Sequence, residues 1–310
     1  MSAPAISAAV VVGDLRERAQ RTLDALATQT AADRMEIVVM DMGPDDAPDL
    51  RTPDGMPATY VRMDGEARLA EARGEAARRA STPVVAFVED HAVPDREWAA
   101  AVVRAHEGPW AAVGYGFTNA NPETFGSRVS YIADYGPWAH PAPHGPLRLL
   151  PGNNVSYKRE ALLSLGDRLD DLLVVDFNLQ DELRSQGLGT YLESSALVAH
   201  ENFTRVTELF AANYSYTRLM AMKRAADWSW GRRMAYALLV PVAVPAMKLT
   251  HLLGGLRGRR RLWGQVAVAL PLVVANFAWS SIGEARGYLG GDREQAERAF
   301  ARWKLDNPRT

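Results

Sequence analysis

The residues best equipped for chemistry lie in Val84-Val-Ala-Phe-Val-Glu-Asp-His-Ala-Val-Pro-Asp95, where five apolar residues run into Glu89, Asp90 and His91. Carboxylates ligate divalent cations, and Mn²⁺ accepts imidazole beside them. Glu89 and His91 stand two apart, a spacing that points both side chains the same way if the chain stays extended. The apolar run is too short and too β-branched for a helix and reads as a fully buried strand. Ligands of open α/β sheets bind outside the carboxyl ends of the strands, which is where this cluster falls.

Two upstream strands end in the same manner. Ile6 to Val12 is followed by Gly13-Asp14, and Glu36 to Met40 by Asp41-Met-Gly-Pro. Helix-period segments, Leu15 to Thr28 and Glu66 to Ala80, separate the strands. That alternation predicts a doubly wound, mostly parallel α/β sheet. An Asp just past a strand also serves as a turn former or helix cap, and for Asp14 alone that explanation competes with a functional one.

Six segments in order resemble family 2 glycosyltransferases of the GT-A fold. Asp14 matches the family's nucleotide-binding first turn. Val39-Met-Asp41-Met-Gly43 matches its Val-Asp-Asp-Gly pattern, with Met42 replacing the second Asp. Glu89-Asp90-His91 falls where the family carries Asp-x-Asp, followed by Pro94 and Trp98. Pro151-Gly-Asn-Asn-Val-Ser-Tyr-Lys-Arg159 matches a Gly-Asn-x-x-aromatic-Arg-Arg segment. Asp176 to Gly187 matches the Glu-Asp-x-Asp-Leu…Arg-Leu…Gly helix, with Val175 replacing the glutamate. Ala199-His200-Glu201 fits the histidine that closes the domain.

The resemblance implies glycosyl transfer from a nucleotide sugar, a UDP-sugar first among candidates, assisted by Mn²⁺ or Mg²⁺. It implies Glu89, His91 and His200 as metal ligands. It places Asp14, Asp41, Asp90, Arg73 and Asn153 around the donor. Arg73 sits two places late in a stretch reading Ala-Glu-Ala-Arg-Gly, so a solvated helix face competes with a phosphate contact. Asn153 and Asn154 could bind donor sugar or acceptor, or simply turn the chain. The aromatic run Tyr131 to Trp138 could wall an acceptor pocket or pack a core.

The acceptor hydroxyl loses a proton during attack, which calls for a carboxylate base. Asp176 takes the family's catalytic aspartate position. At about 100° per residue, Leu179 and Leu183 fall on its side of the helix, while Asp181 falls on the opposite, solvated side. Asp176 also stands where a helix N-cap would.

The chain of 310 residues has no cysteine, hence no disulfide framework, thiolate metal site or cysteine nucleophile. Its first apolar run is only a strand, so no secretory signal is expected. The net charge of −2 hides an asymmetry. Residues 1–200 hold 18 Lys/Arg against 29 Asp/Glu, and residues 201–310 hold 17 against 8. An acidic head with a basic tail points to an anionic surface as the tail's partner.

The tail's apolar content selects a membrane over nucleic acid. Met234 to Met247 is uncharged but contains Pro241 and Pro245, and its 14 residues are too few to span a bilayer. Leu262 to Gly283 is longer, and Arg257-Gly-Arg-Arg-Arg261 lies between the two. A spanning hairpin would carry those arginines outside, against the positive-inside rule. Trp228, Trp230, Trp263 and Trp279 sit near the segment ends like interfacial anchors. The expectation is therefore a catalytic domain over 1–202 and a helical tail over 203–310 lying in the cytoplasmic leaflet. The alternative is a soluble helical subdomain packed on the head or in a homo-oligomer.

The sequence thus predicts an inverting transferase acting on a lipid-linked or membrane-proximal glycan hydroxyl at the cytoplasmic face of the cell membrane. One rival is a sugar-phosphate nucleotidyltransferase, which needs a Gly-rich phosphate loop that Val-Val-Gly-Asp-Leu-Arg lacks. The other is a catalytically silent membrane scaffold, suggested by Met42, Val175 and the altered metal motif.

Overall fold

A computed structural model describes residues 3–65 and 67–307. The chain forms two compact units, Met1–Thr118 with His140–His200, and Asn119–Ala139 with Glu201–Thr310. The first unit is built on a nine-stranded sheet: β1 (Ile6–Val12), β2 (Met35–Asp41), β3 (Ala58–Arg62), β4 (Val84–Glu89), β5 (Ala92–Pro94), β6 (Trp110–Asn119), β7 (Gly145–Pro146), β8 (Val155–Lys158) and β9 (Gly189–His200). The order is β3-β2-β1-β4-β8-β6-β9-β5, with β7 on β9.

The α/β class holds, and β1 to β4 pair in parallel as expected. Every residue of β1 is buried, the reason it reads as a continuous apolar run rather than an alternation. The sheet extends past β4 through antiparallel pairings, β4 with β8 and β8 with β6. This half was not anticipated from sequence.

Helices α1 (Arg16–Ala27), α2 (Leu69–Arg79) and α3 (Trp98–His106) connect strands of this unit. The expected start of α2 at Glu66 lies outside the described residues. Helix α4 (Phe125–Tyr135) belongs to the second unit, and α5 (Arg159–Leu163), α6 (Leu169–Leu172) and α7 (Asp176–Ser185) to the first. Register puts three strand ends at one edge: Val12 pairs with Asp41, and Val11 with Glu89.

The second unit also contains α8 (Val206–Arg224), α9 (Trp230–Gly255), α10 (Arg260–Tyr288) and α11 (Arg293–Asp306). Helix α10 approaches α8 closely at Gly283 and Gly287. A Cβ there would come within 2.4 Å of the Tyr214 carbonyl oxygen and 2.2 Å of that of Arg218. Small residues four apart allow such backbone approach in apolar helix pairs. Thr217 Oγ1 reinforces the contact by donating to the Ser280 carbonyl at 2.6 Å.

Helix α9 runs unbroken through Pro241 and Pro245, so the apolar segment is not limited to 14 residues. Both α9, of 26 residues, and α10, of 29, are long and apolar enough to cross a membrane by length and composition. Except for Phe125, every exposed large apolar side chain among the described residues lies between Trp230 and Leu289. They include Trp230, Leu238, Leu239, Val242, Trp263 and Trp279.

One expected surface arginine is instead structural. Arg259 is half-buried and donates to the carbonyls of Pro137 and Gly255 at 2.7 and 2.6 Å and to that of Ala139. Arg257, Arg260 and Arg261 are exposed.

Candidate active site

Strand β4 delivers Glu89 to the sheet edge, and the turn into β5 carries Asp90 and His91. Strand β9 runs antiparallel to β5 with His200 opposite Ala92, which brings His200 beside His91 from more than a hundred residues away. The two imidazole centroids are 4.7 Å apart in an edge-to-face arrangement. Glu89 Oε2 lies 3.3 Å from His200 Nε2, and Glu89 Oε1 lies 3.8 Å from His91 Nε2. One ligand atom from each residue falls within 4.8 Å of the others. A half-buried acid and two buried imidazoles at this spacing form a donor set that fits a divalent transition metal.

Asn154, rather than Asn153, serves this cluster. The register of β8 on β4 pairs Ser156 with Ala86 and so leaves Asn154 level with the end of β4. The Glu89 backbone N–H donates to Asn154 Oδ1 at 2.9 Å, and Asn154 Nδ2 donates to Glu89 Oε2 at 2.5 Å. Asn154 is completely buried and holds Glu89 with both ends of its amide, the backbone N–H through Oδ1 and the carboxylate through Nδ2. Asn153 is half-buried and adopts a left-handed φ of 66°, a conformation asparagine tolerates better than most residues. Adjacent asparagines leave the sequence unable to say which one turns the chain and which one points inward.

Asp90 does not join the metal-competent group. Its carboxylate receives Arg18 Nη2 at 2.7 Å and His91 Nδ1 at 2.8 Å, with all three residues buried.

Asp176 opens α7, with Val175 as the N-cap, so the residue does not itself cap the helix. It is buried together with Leu179 and Leu183, as the helical spacing predicts, while Asp181 is exposed and paired with Arg184. Both Asp176 oxygens are engaged by Arg73, at 2.7 and 3.1 Å. Arg73 is buried rather than on a solvated face; it also donates to the Leu173 carbonyl at 2.8 Å and stacks over Phe87, 4.5 Å from the ring centroid. Burial opposes its charge, but the Asp176 carboxylate raises its pKa above the usual arginine value. Tyr157 donates to Asp176 Oδ1 at 3.5 Å, and burial followed by the Asp176 charge raises the phenol well above its normal range.

The Gly152 segment stands next to this pair, with Asp176 Oδ2 3.8 Å from where a Gly152 Cβ would lie. Gln180 secures that segment by accepting from Leu150 N–H at 3.1 Å and donating to the Pro151 carbonyl at 3.3 Å. Residues 150–154 thus border Asp176 at one end and hold Glu89 at the other.

Asp14 is exposed beyond β1. Asp41 is fully enclosed: Arg16 reaches its two oxygens at 2.8 and 2.9 Å, Gly43 N–H donates at 2.9 Å, and the Tyr60 hydroxyl donates to Oδ2. Burial alone would raise this carboxyl, but hydrogen bonds from Arg16, Tyr60 and Gly43 hold it below the ordinary carboxylate value.

Residues 13–166 match the family model described as Glycosyl transferase family 2. Among solved structures the chain is similar to the mannosyltransferase PcManGT from Pyrobaculum calidifontis in complex with GDP-Man and Mn²⁺. The identity is 16% and the TM-score 0.55, with 92% of this chain and 86% of that chain covered. It is also similar to S. aureus TarS 1-349 in complex with UDP, at 15% identity and a TM-score of 0.45, covering 88% and 89%. No curated protein matches this sequence. With its mixed α/β sheet, its matching family segment and its helical C-terminal region, the chain belongs to glycosyl transferase family 2 and is a glycosyltransferase of the GT-A fold.

Proposed function

We propose that this protein is an inverting, metal-assisted glycosyltransferase that moves a hexose from a nucleotide sugar to a lipid-linked or membrane-proximal hydroxyl. The carrying observation is the convergence of Glu89, His91 and His200 at the carboxyl edge of the sheet, where such folds bind ligands. These three residues would hold the cation. When bound, it supplies positive charge that stabilises the leaving diphosphate without proton transfer. Two imidazoles and one carboxylate suit Mn²⁺ better than Mg²⁺, which prefers oxygen ligands. The solved mannosyltransferase of similar fold binds GDP-Man and Mn²⁺, in keeping with this donor set. UDP- and GDP-hexoses are the donors to test first.

Asp176 is the proposed base. A carboxylate offers about four lone-pair sites, and the two Arg73 contacts leave others for the acceptor hydroxyl. Arg73 orients the carboxylate, and Gly152 sets no side chain against it. A single displacement with one base and no second nucleophile supports inversion. Asp41 supports the neighbouring wall by fixing Arg16 and Tyr60, and Asp14 is the exposed acidic group nearest the first turn.

The tail over 203–310 is proposed to associate with the cytoplasmic face of the membrane, and residues 1–202 to form the catalytic region. Exposed apolar side chains on α9 and α10 and the exposed arginines at their junction support this placement. The decisive assay is incubation of the purified protein with UDP- and GDP-hexoses, Mn²⁺ and lipid acceptors. Sugar transfer, or slow donor hydrolysis without acceptor, is expected. Intact donors under every condition would refute the proposal.

A further inference from the structure

The residue between the two strand-end metal candidates has turned away from them, and its new partners define a role. Asp90 Oδ2 accepts from Arg18 Nη2 at 2.7 Å, and Asp90 Oδ1 meets His91 Nδ1 at 2.8 Å. An ionised carboxylate only accepts hydrogen bonds, so beside the Arg18 guanidinium it requires Nδ1 of His91 to be the donor. A neutral imidazole protonated at Nδ1 carries its lone pair on Nε2. That atom faces Glu89 Oε1, at 3.8 Å, on the side where His200 lies.

Helix α1 is placed to hold this arrangement. Arg18 reaches Asp90 in the β4–β5 turn, and Thr22, one helical turn further on, donates from Oγ1 to the Ala92 carbonyl at the start of β5 at 3.2 Å. Arg18, Asp90 and His91 are each at most 4% exposed, so water does not compete for these contacts.

We propose that Arg18 and Asp90 are positioning residues for the cation site. They set the tautomer and ring orientation of His91 so that Nε2 is presented to the metal, and Asp90 is not itself a ligand. The chemistry explains their presence. An imidazole in place of a carboxylate lowers the site's negative charge, and a carboxylate bonded to the distal N–H raises the basicity of a ligating histidine. Asp90 strengthens His91 as a donor through this hydrogen bond, and Arg18 holds the carboxylate in place.

The inference rests on the reading of Glu89, His91 and His200 as a cation site, and the test separates the two. Mn²⁺ affinity is measured by electron paramagnetic resonance titration of the full chain and of Asp90→Ala, His91→Ala and the double variant. Asp90→Ala should weaken Mn²⁺ binding by about 10- to 100-fold, yet add less than about twofold in the His91→Ala background, because coupled residues are not additive. Absence of Mn²⁺ binding by the unmutated protein overturns the cation reading. Binding that Asp90→Ala leaves unchanged, or weakens equally in both backgrounds, overturns the positioning role alone. A second measurement needs neither variant nor metal: imidazole ¹⁵N shifts of the metal-free protein should show His91 protonated at Nδ1 and not at Nε2. The opposite tautomer overturns the proposal.

Discussion

Arg73 and Asp176, 103 residues apart in sequence, form a buried bidentate pair, with Nη2–Oδ1 and Nη1–Oδ2 distances of 2.7 and 3.1 Å. The pair joins α2 to the start of α7 and so fixes the proposed base relative to the parallel strands. Asp176→Asn should lower transfer by about 10² or more while leaving donor affinity nearly intact, since general base catalysis acts on the chemical step. Asp181→Asn should change little, because that side chain is exposed. Steady-state kinetics on the two variants checks both statements; a larger loss in Asp181→Asn would reverse the assignment.

Arg73→Ala should act on stability, because it strands a carboxylate away from water. Breaking a buried ion pair from one side costs about 3–5 kcal/mol. Urea unfolding should show a loss of that order, and Arg73→Lys should recover part of it. A midpoint unchanged in Arg73→Ala would mean the pair is solvated in solution.

Much of this arrangement is legible in the sequence, and the omissions have physical causes. The strand-end carboxylates show themselves because a parallel strand buried on both faces is an uninterrupted apolar run. The buried face of α7 follows from helical spacing. Arg73 cannot be placed locally, since an arginine on a helix looks solvated until a distant Asp176 supplies its partner. The antiparallel strands β6 and β8 escape because they carry Gly114, Gly116 and Ser156 among their apolar residues. Prolines 241 and 245 suggest a break, yet losing a few backbone bonds does not stop a helix whose flanking turns continue.

Asn154→Ala removes both hydrogen bonds to Glu89 and leaves a buried N–H without its acceptor, costing about 1–3 kcal/mol. It should also weaken Mn²⁺-dependent nucleotide binding. Asn153→Gly should preserve both properties, because glycine accepts a positive φ without strain. Parallel thermal-shift and nucleotide titrations decide the matter. Equal effects from the two variants would contradict the division of labour between these asparagines.

His106 provides a pH signature unrelated to the site. Its Nε2 lies 2.9 Å from Ser156 Oγ, and burial followed by the Lys158 charge pushes its pKa down to about 3. The unfolded chain takes up a proton near pH 6.5, whereas the folded protein does not until far lower. Stability is therefore full above that pH and falls as pH drops, by about 1.4 kcal/mol per unit for this one group. His106→Gln should flatten the decline in urea midpoint between pH 6 and 4 (a window of about two units by the same linkage). Identical slopes for the two proteins would contradict it.

The four arginines around the α9–α10 junction should separate into two classes. Replacing exposed Arg257, Arg260 and Arg261 with Gln should reduce co-sedimentation with anionic liposomes in a salt-sensitive way, each contributing roughly 1 kcal/mol. Arg259→Gln should instead lower Tm, because its guanidinium holds backbone carbonyls. Full-length protein that stays soluble without detergent and ignores anionic liposomes would contradict the membrane placement.

The most direct test of the account is nucleotide binding by the purified full chain, measured by thermal shift with UDP and GDP in the presence of Mn²⁺ or of EDTA. A ligand that binds only the folded state raises Tm according to its affinity. The account predicts a rise with nucleotide that grows when Mn²⁺ is added and loses its metal dependence in the Glu89→Ala/His91→Ala double variant. Equal nucleotide binding in EDTA and in Mn²⁺ by the unmutated protein would contradict it.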